Sequence, residues 1–409
     1  MRNAARLLLY LYLIVCTGSI LSFDGVIGSL ARVIGVPALL VWICSLARYK
    51  TIRAPHVFLS LCLIFLGWNF MTLLWTVDSD STVFELWHYV LTFGALFMIW
   101  DLNREQGDAE GCMQAFVFGG YFLIASMVFN YISGNHQDAY QDRFSGGGFN
   151  PNEPGKIFSV TIPLAWYLGI MREKQKPFLR VANAVYPLFA IFAVVISGSR
   201  GGLLACVPGF IFILFNLKRV PLPARLLLAV TAAGALIVLS RMDLGTQIDR
   251  LSTIMSSSSD DQFSGRQEIW EAGWRVFSHS PFLGIGTGAF PIAVLGQTVA
   301  YQGLPAHNTF LSIATETGVI GLTIFVLLLA FVVWDVISRG GPMRWMWIAC
   351  LLDAFISMMS SAWEIRPHPW ILMTIILTWN HARKRDERAK PSVPQPAAYP
   401  VDQARRAAI

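Results

Sequence analysis

Long apolar runs separated by short polar breaks dominate the chain. A bilayer-crossing helix needs about 20 apolar residues. Runs that could supply one begin near Leu7, Val26, Val57, Val83, Met113, Ile157, Val181, Leu203, Leu226, Phe310, Trp345 and Trp370. The pattern predicts an all-α polytopic membrane protein with about twelve transmembrane helices. The last run, Trp370–Trp379, is short and spans only if the segment before it is buried too. The basic start, Arg2 to Arg6, followed by apolar Leu7–Leu21, has the outline of a signal peptide. No clear small-x-small cleavage site follows and the run leads straight into another, which favours a retained first span.

One interruption differs from the rest. Arg241 to Asn308 is the only long polar segment between two apolar runs. Ser264-Gly265-Arg266-Gln267 reads as a helix start with a capping box, Ser264 at the N-cap and Gln267 at N3. Ile269, Trp270, Gly273, Val276 and Phe277 then fall on one stripe of an amphipathic helix, suited to lie on a membrane surface. Arg266 shares the side of the stripe, and Arg275 faces water. Ser280-Pro281 ends the helix, and Gly284, Gly286 and Gly288 make an irregular connection. The chain thus divides into residues 1–240 with nine spans, 241–306 as a long outer helical loop, 307–382 with three further spans, and a tail over 383–409. The tail is Pro-rich after Arg388 and expected to be disordered.

Composition narrows the class. The chain of 409 residues is 55% hydrophobic and 14% charged, with a mean hydropathy of +0.54. Soluble domains average about 25% charged residues, so a soluble protein is excluded. The net charge of +6 does not call for nucleic acid, because a bias among loops explains it. With the N-terminus in the cytoplasm, most basic residues fall in cytoplasmic loops along the whole chain, and both termini are cytoplasmic. Only Arg32, Arg143, Lys156, Arg200, Arg241, Arg250, Arg266, Arg275 and Arg366 fall outside. Singly, each suits an anchor at lipid headgroups; as a set they suggest an anionic ligand on the outer side. The six cysteines lie in or beside apolar runs without a C-x-x-C pair. They read as small core residues, not as a disulfide framework.

Several outer positions carry candidate chemistry. Arg200 stands in a tight turn between spans, Ser197-Gly198-Ser199-Arg200-Gly201-Gly202. A guanidinium beside the N–H groups of a helix start suits a phosphate; helix packing by the glycines and a snorkelling Arg200 is the alternative. Arg143 opens the glycine-rich loop Arg143–Asn152, which is either a flexible turn or a segment that lets backbone approach a ligand. His307-Asn308 opens a span. Asn308 suits an N-cap or a substrate contact, and His307 suits an interfacial histidine or a general base. Arg366 is a third candidate substrate contact, with Arg143 and Asn308. Glu316 lies about 180° round the helix from His307. Glu316 and Asp353 are acids at membrane depth, either functional or struts between helices. Asp78-Ser79-Asp80 has D-x-D spacing, which suits a metal-bound diphosphate but more simply a solvated turn, and Asp24 is a remote candidate carboxylate. No H-E-x-x-H, Walker loop or zinc spacing is present.

These stretches together resemble a known family. Ser197-Gly198-Ser199-Arg200-Gly201-Gly202 is similar to the S-G-S-R-G-G signature of the O-antigen ligase and polymerase superfamily. Arg266-Gln267-Glu268-Ile269-Trp270 with Ser280-Pro281-Phe282-Leu283-Gly284-Ile285-Gly286 resembles its R-x-x-x-W … H-P-x-x-G-x-G segment, Ser280 replacing the common His. His307-Asn308-Thr309-Phe310-Leu311 with Glu316-Thr317-Gly318 resembles its H-N-x-x-L … E-x-G signature. The resemblance implies a bacterial inner-membrane glycosyltransferase with a periplasmic active site. It takes a glycan from undecaprenyl diphosphate by metal-independent inverting transfer, without a cofactor. A ligase passes the glycan to the lipid A core, as in lipopolysaccharide biosynthesis; a polymerase passes it to another lipid-linked unit. By the same resemblance Arg200 and Arg266 hold the diphosphate and His307 activates the acceptor hydroxyl. The rival from another class is a transporter or flippase of lipid-linked sugars. It calls for charges deep in several spans and repeated halves, whereas the unusual charges here cluster at outer ends and no internal repeat is evident.

Overall fold

The computed structural model describes residues 1–18, 30–135, 143–172, 175–242, 244–252, 266–295 and 303–389. Among them the chain is helical, with no β-strand. In order the helices are α1 (Arg2–Gly18), α2 (Leu30–Tyr49), α3 (Val57–Met71), α4 (Ser79–Leu102), α5 (Gln106–Ile132), α6 (Glu153–Trp166), α7 (Pro177–Ser197) and α8 (Arg200–Ala205). Then come α9 (Val207–Asn216), α10 (Leu222–Arg241), α11 (Gly245–Ser252), α12 (Arg266–His279), α13 (Phe290–Ala293), α14 (Thr309–Arg339), α15 (Arg344–Ser360) and α16 (Pro367–Ala389). Asp24, Ser264, Gly265 and the tail beyond 389 lie outside the described residues.

The protein is an all-α polytopic membrane protein. Nine described helical segments are long and apolar enough to cross a bilayer: α2, α3 with the turn to Leu74, α4, α5, α7, α8–α9 to Arg219, α10, α14, and Gly341–Ser360. The other three predicted runs fall in α1, in α6 and in α16. α1 has 17 residues, and the 14 of α6 continue through a π turn, Tyr167–Met171. Packing explains the short last run. From His368 to Asn380 every residue of α16 is buried, against α4, α5 and α14, so protein and not lipid surrounds it. The converse holds for α10, an apolar helix with no buried residue.

Two helix breaks and one close helix approach shape the outer half of the bundle. At Cys206 the chain kinks between α8 and α9, and Pro208 follows at the head of α9. The freed amide of Gly209 is taken up by Asp353 Oδ1 at 3.1 Å, so this deep acid ties α15 to α9. Gly155 of α6 faces Gly202 of α8 so closely that a Cβ on Gly202 would lie 2.8 Å from the Gly155 Cα. α14 breaks at Gly318, at φ 68° and ψ −174°, a conformation open to glycine alone at low cost.

The glycine-rich connection after α12 docks onto the break at Gly318. Ile285 N donates to Thr315 O, Gly286 N to Glu316 O, and Val319 N to Pro281 O, at 2.8 to 3.1 Å. The Glu316 carboxylate accepts from Gly288 N at 2.7 Å and Phe290 N at 3.3 Å. Both deep acids are therefore struts in the structure, the second of the two alternatives left open for them.

Candidate functional site

The loops gather at two opposite ends of the bundle. Arg2 bonds to Thr51 and Arg6 to Leu102. Arg383 reaches the Arg339 carbonyl, and His381 packs on His56 and Trp100. Both ends of the described chain thus sit together. At the other end meet the α7–α8 turn, the starts of α6, α12 and α14, and the loop between α15 and α16.

Local sequence sets the α7–α8 turn. Gly198 takes a left-handed conformation (φ 58°) as the C-cap of α7. Ser199 then caps α8, its Oγ accepting from Gly202 N at 3.1 Å, which leaves Arg200 as the first residue of α8. Arg143 is buried, donating from Nε to Ser197 O at 2.7 Å and from Nη2 to Asn152 Oδ1 at 2.9 Å. It braces the turn that carries Arg200.

Arg266 opens α12. The apolar stripe after it faces the protein, correcting the expectation that it lies on the membrane surface. Ile269 and Ala272 are buried against Phe290, Val294 and Ala306, with Trp270, Val276 and Leu311 packed around them. The apolar partners are this chain's own, so lipid is not needed to cover the stripe. Trp274, on the other side, is exposed. Trp270 Nε1 donates to Ala306 O at 2.9 Å. This bond ties the helix carrying Arg266 to the residue before His307, which gives the spacing of Arg266 and Trp270 a physical purpose.

His307 has φ 49°, a left-handed conformation uncommon for a residue with a side chain. Asn308 holds it there as the N-cap of α14, its Oδ1 accepting from Phe310 N at 2.9 Å and Leu311 N at 3.1 Å. Strain of this kind persists where surrounding structure over-determines it, and it concentrates at functional sites.

The electrostatics join the segments. Burial, and then the Arg200 charge, pull the Arg266 guanidinium below its usual range. Burial lowers the His307 imidazole to about 4, with Arg266 and Lys156 adding to the shift and Glu153 opposing it. His307 is therefore neutral near pH 7, able to accept a proton, and surrounded by cations.

Glu153 and Lys156 complete this centre. Both are almost fully buried. Lys156 Nζ lies 3.3 Å from Glu153 Oε1, Ser361 Oγ donates to the same oxygen at 3.3 Å, and Arg366 Nε is 3.7 Å from Oε2. Thr309, two residues after His307, donates to Ser361 O at 2.9 Å. Sequence reasoning took Lys156 only as an outer basic residue and passed over Glu153. The available signal was an acid and a base three residues apart at the head of an apolar run.

The structure thus brings Arg200, Arg266 and His307 to one end of the bundle. It places Arg143 behind them as a brace, Asn308 as a cap, and Arg366 between Glu153 and the Phe149 ring. Asp78 is the N-cap of α4, accepting from Ser81 N. Arg241 and Arg275 are exposed. Among the described residues no group of His, Cys, Asp and Glu is arranged to hold a metal.

Residues 185–326 match the family model described as O-antigen ligase. That match, over about a third of the chain, supports a place in the O-antigen ligase superfamily. No curated protein matches it. The matched stretch runs from α7 into α14 and includes Arg200, Arg266, His307 and the glycine loop docked at Gly318. That family's function is of the ligase and polymerase type, which supports an enzyme role for this multi-pass membrane protein. Glu153, Lys156 and Arg366 lie outside the segment that matches the O-antigen ligase family.

Proposed function

We propose that the protein is an O-antigen ligase of the bacterial inner membrane. In this reading it moves a glycan from undecaprenyl diphosphate to the lipid A core oligosaccharide on the periplasmic side, with both termini in the cytoplasm. The observation that carries the reading is the neutral, strained His307 set among Arg266, Lys156 and Glu153, with Arg200 acting on Arg266.

The chemistry follows from that arrangement. An acceptor hydroxyl attacks the anomeric carbon while the bond from that carbon to the diphosphate oxygen breaks on the opposite face, so the anomeric configuration inverts. The hydroxyl proton passes to the free-base imidazole of His307. The leaving diphosphate carries away the electron pair, and the guanidinium groups of Arg200 and Arg266 stabilise its charge. Crowded cations are costly to bring together in the free protein, and a diphosphate relieves that repulsion. The bound anion also favours the imidazolium, so His307 becomes a stronger base once the donor is in place. Arg143, Asn308 and Arg366 support substrate contacts from the edge of this centre. No cofactor or metal ion enters these steps.

The near alternative is a polymerase, which shares the donor and differs in the acceptor. The test is transfer in vitro with purified lipid-linked donor and two competing acceptors, lipid A core and a second lipid-linked unit. Glycan on the core supports the ligase. Glycan on the second unit replaces it with the polymerase. No transfer to either acceptor by folded protein would sink both.

A further inference from the structure

A cavity of about 610 Å³ opens between α1, α2, α4 and the start of α16. Its charged and imidazole side chains, Arg32, Glu85, His88, Arg366 and His368, lie in the halves of the helices nearer the reaction centre. Its apolar lining, Leu39, Leu91 and Met98 among others, continues away from that end. Along α4 the lining runs from Glu85 to Met98, about 20 Å at about 1.5 Å per residue. The cavity is a slot parallel to the helices, charged at one end and apolar along the rest. A bilayer lipid has the same polarity and orientation.

Two further observations point to an anionic head group. His368 is 1% exposed, yet neither ring nitrogen has a hydrogen-bond partner. The Cys16 backbone approaches the ring without completing a bond. Arg32 NH2 lies 2.6 Å from His88 Nε2, which fixes this guanidinium in the wall. Arg366 belongs to both places: it lines the slot, and its Nε is 3.7 Å from Glu153 Oε2. That oxygen is itself buried without a hydrogen bond, and the Glu153 charge acts on His307.

We propose that the slot holds a second phosphate-bearing lipid, the acceptor, with its phosphate at Arg32, Arg366 and His368 and one chain along α4. This rests on the transferase reading above. It adds that the acceptor is positioned through its own lipid phosphate, by residues separate from Arg200 and Arg266. The acceptor sugar then extends past Arg366 and Glu153 toward His307.

Native mass spectrometry of the full-length protein in detergent tests this, with polyprenyl diphosphate, lipid A and phosphatidylglycerol as probes. Polyprenyl diphosphate or lipid A should bind in a copy that Arg200→Ala leaves in place. Ala95→Phe, which fills the slot, and Arg32→Gln should each weaken that copy about tenfold or more, the scale of one lost charged hydrogen bond. Unchanged binding of that copy in Arg32→Gln and in folded Ala95→Phe overturns the proposal. Equal affinity for phosphatidylglycerol also overturns it, because the slot then holds structural lipid. Slot-dependent binding without any Arg200-dependent copy supports it and sinks the donor reading instead.

Discussion

The two ends of the bundle handle charge in opposite ways. At the end where the described chain begins and ends, guanidinium groups are matched with carboxylates. Arg6 meets Asp108 at 2.8 Å, Arg104 meets Asp101 at 2.6 Å, Arg172 meets Glu110 at 2.8 Å and Arg339 meets Asp335 at 3.2 Å. Asp101 also accepts from Trp42 Nε1 and Arg53 N. At the other end, among the described residues, cations lie close enough to act on one another: Arg200 acts on Arg266, and one carboxylate, Glu153, meets both Lys156 and Arg366. Ion pairs that are already satisfied stabilise and specify a fold. Cations held close at a cost in repulsion make sense when an anion is to arrive. Under the proposed function, the contrast separates structural charge from charge set for a ligand, where the sequence shows only arginines on both sides.

The comparison can be broken by substitution. His307→Ala should have the largest effect, lowering the transfer rate about 10²–10⁴-fold, the usual contribution of a general base. Wild-type activity in this variant would remove His307 from the chemistry. Next is Arg200→Lys. It keeps the charge and loses the planar fork, and should cost less than the roughly 10²–10³-fold seen when a charge-stabilising donor is removed outright. Its melting temperature should stay near wild type; an unchanged rate would mean that Arg200 only anchors the helix end. Asp101→Asn, at the opposite end, should do the reverse. It should lose about 1–3 kcal/mol of stability in denaturant titration, since one oxygen can no longer accept, while KM for the donor stays put.

Smaller effects sharpen the picture. Below its pKa His307 is protonated and cannot take a proton, so kcat/KM should fall as pH drops through about 4. The bound diphosphate favours the imidazolium, so the acid limb of kcat should lie at higher pH than that of kcat/KM. Coincident limbs would place the anion away from the imidazole. A chelator should leave the rate unchanged. Inhibition reversed by a divalent ion would bring Asp78 and Asp80 back into consideration.

Much of this was legible in the residues alone, and the reason is locality. Apolar runs of helical length, the Asn308 cap and the Pro281 stop depend on neighbours a few positions away, so the order of residues determines them. The Ser197–Gly202, Arg266–Trp270 and His307–Asn308 stretches likewise stand out by composition. Tertiary structure decided what lies far apart in the chain. Trp270 reaches Ala306 and so turns the stripe of α12 onto α14, which hydrophobic periodicity cannot foretell, since it says that a face is apolar but not what covers it. Glu316 and Asp353 proved to be struts because their backbone partners come from distant segments. Glu153, unremarkable in sequence, came to sit between Lys156 and Arg366 beside the histidine only when α6, α14 and the loop before α16 closed together.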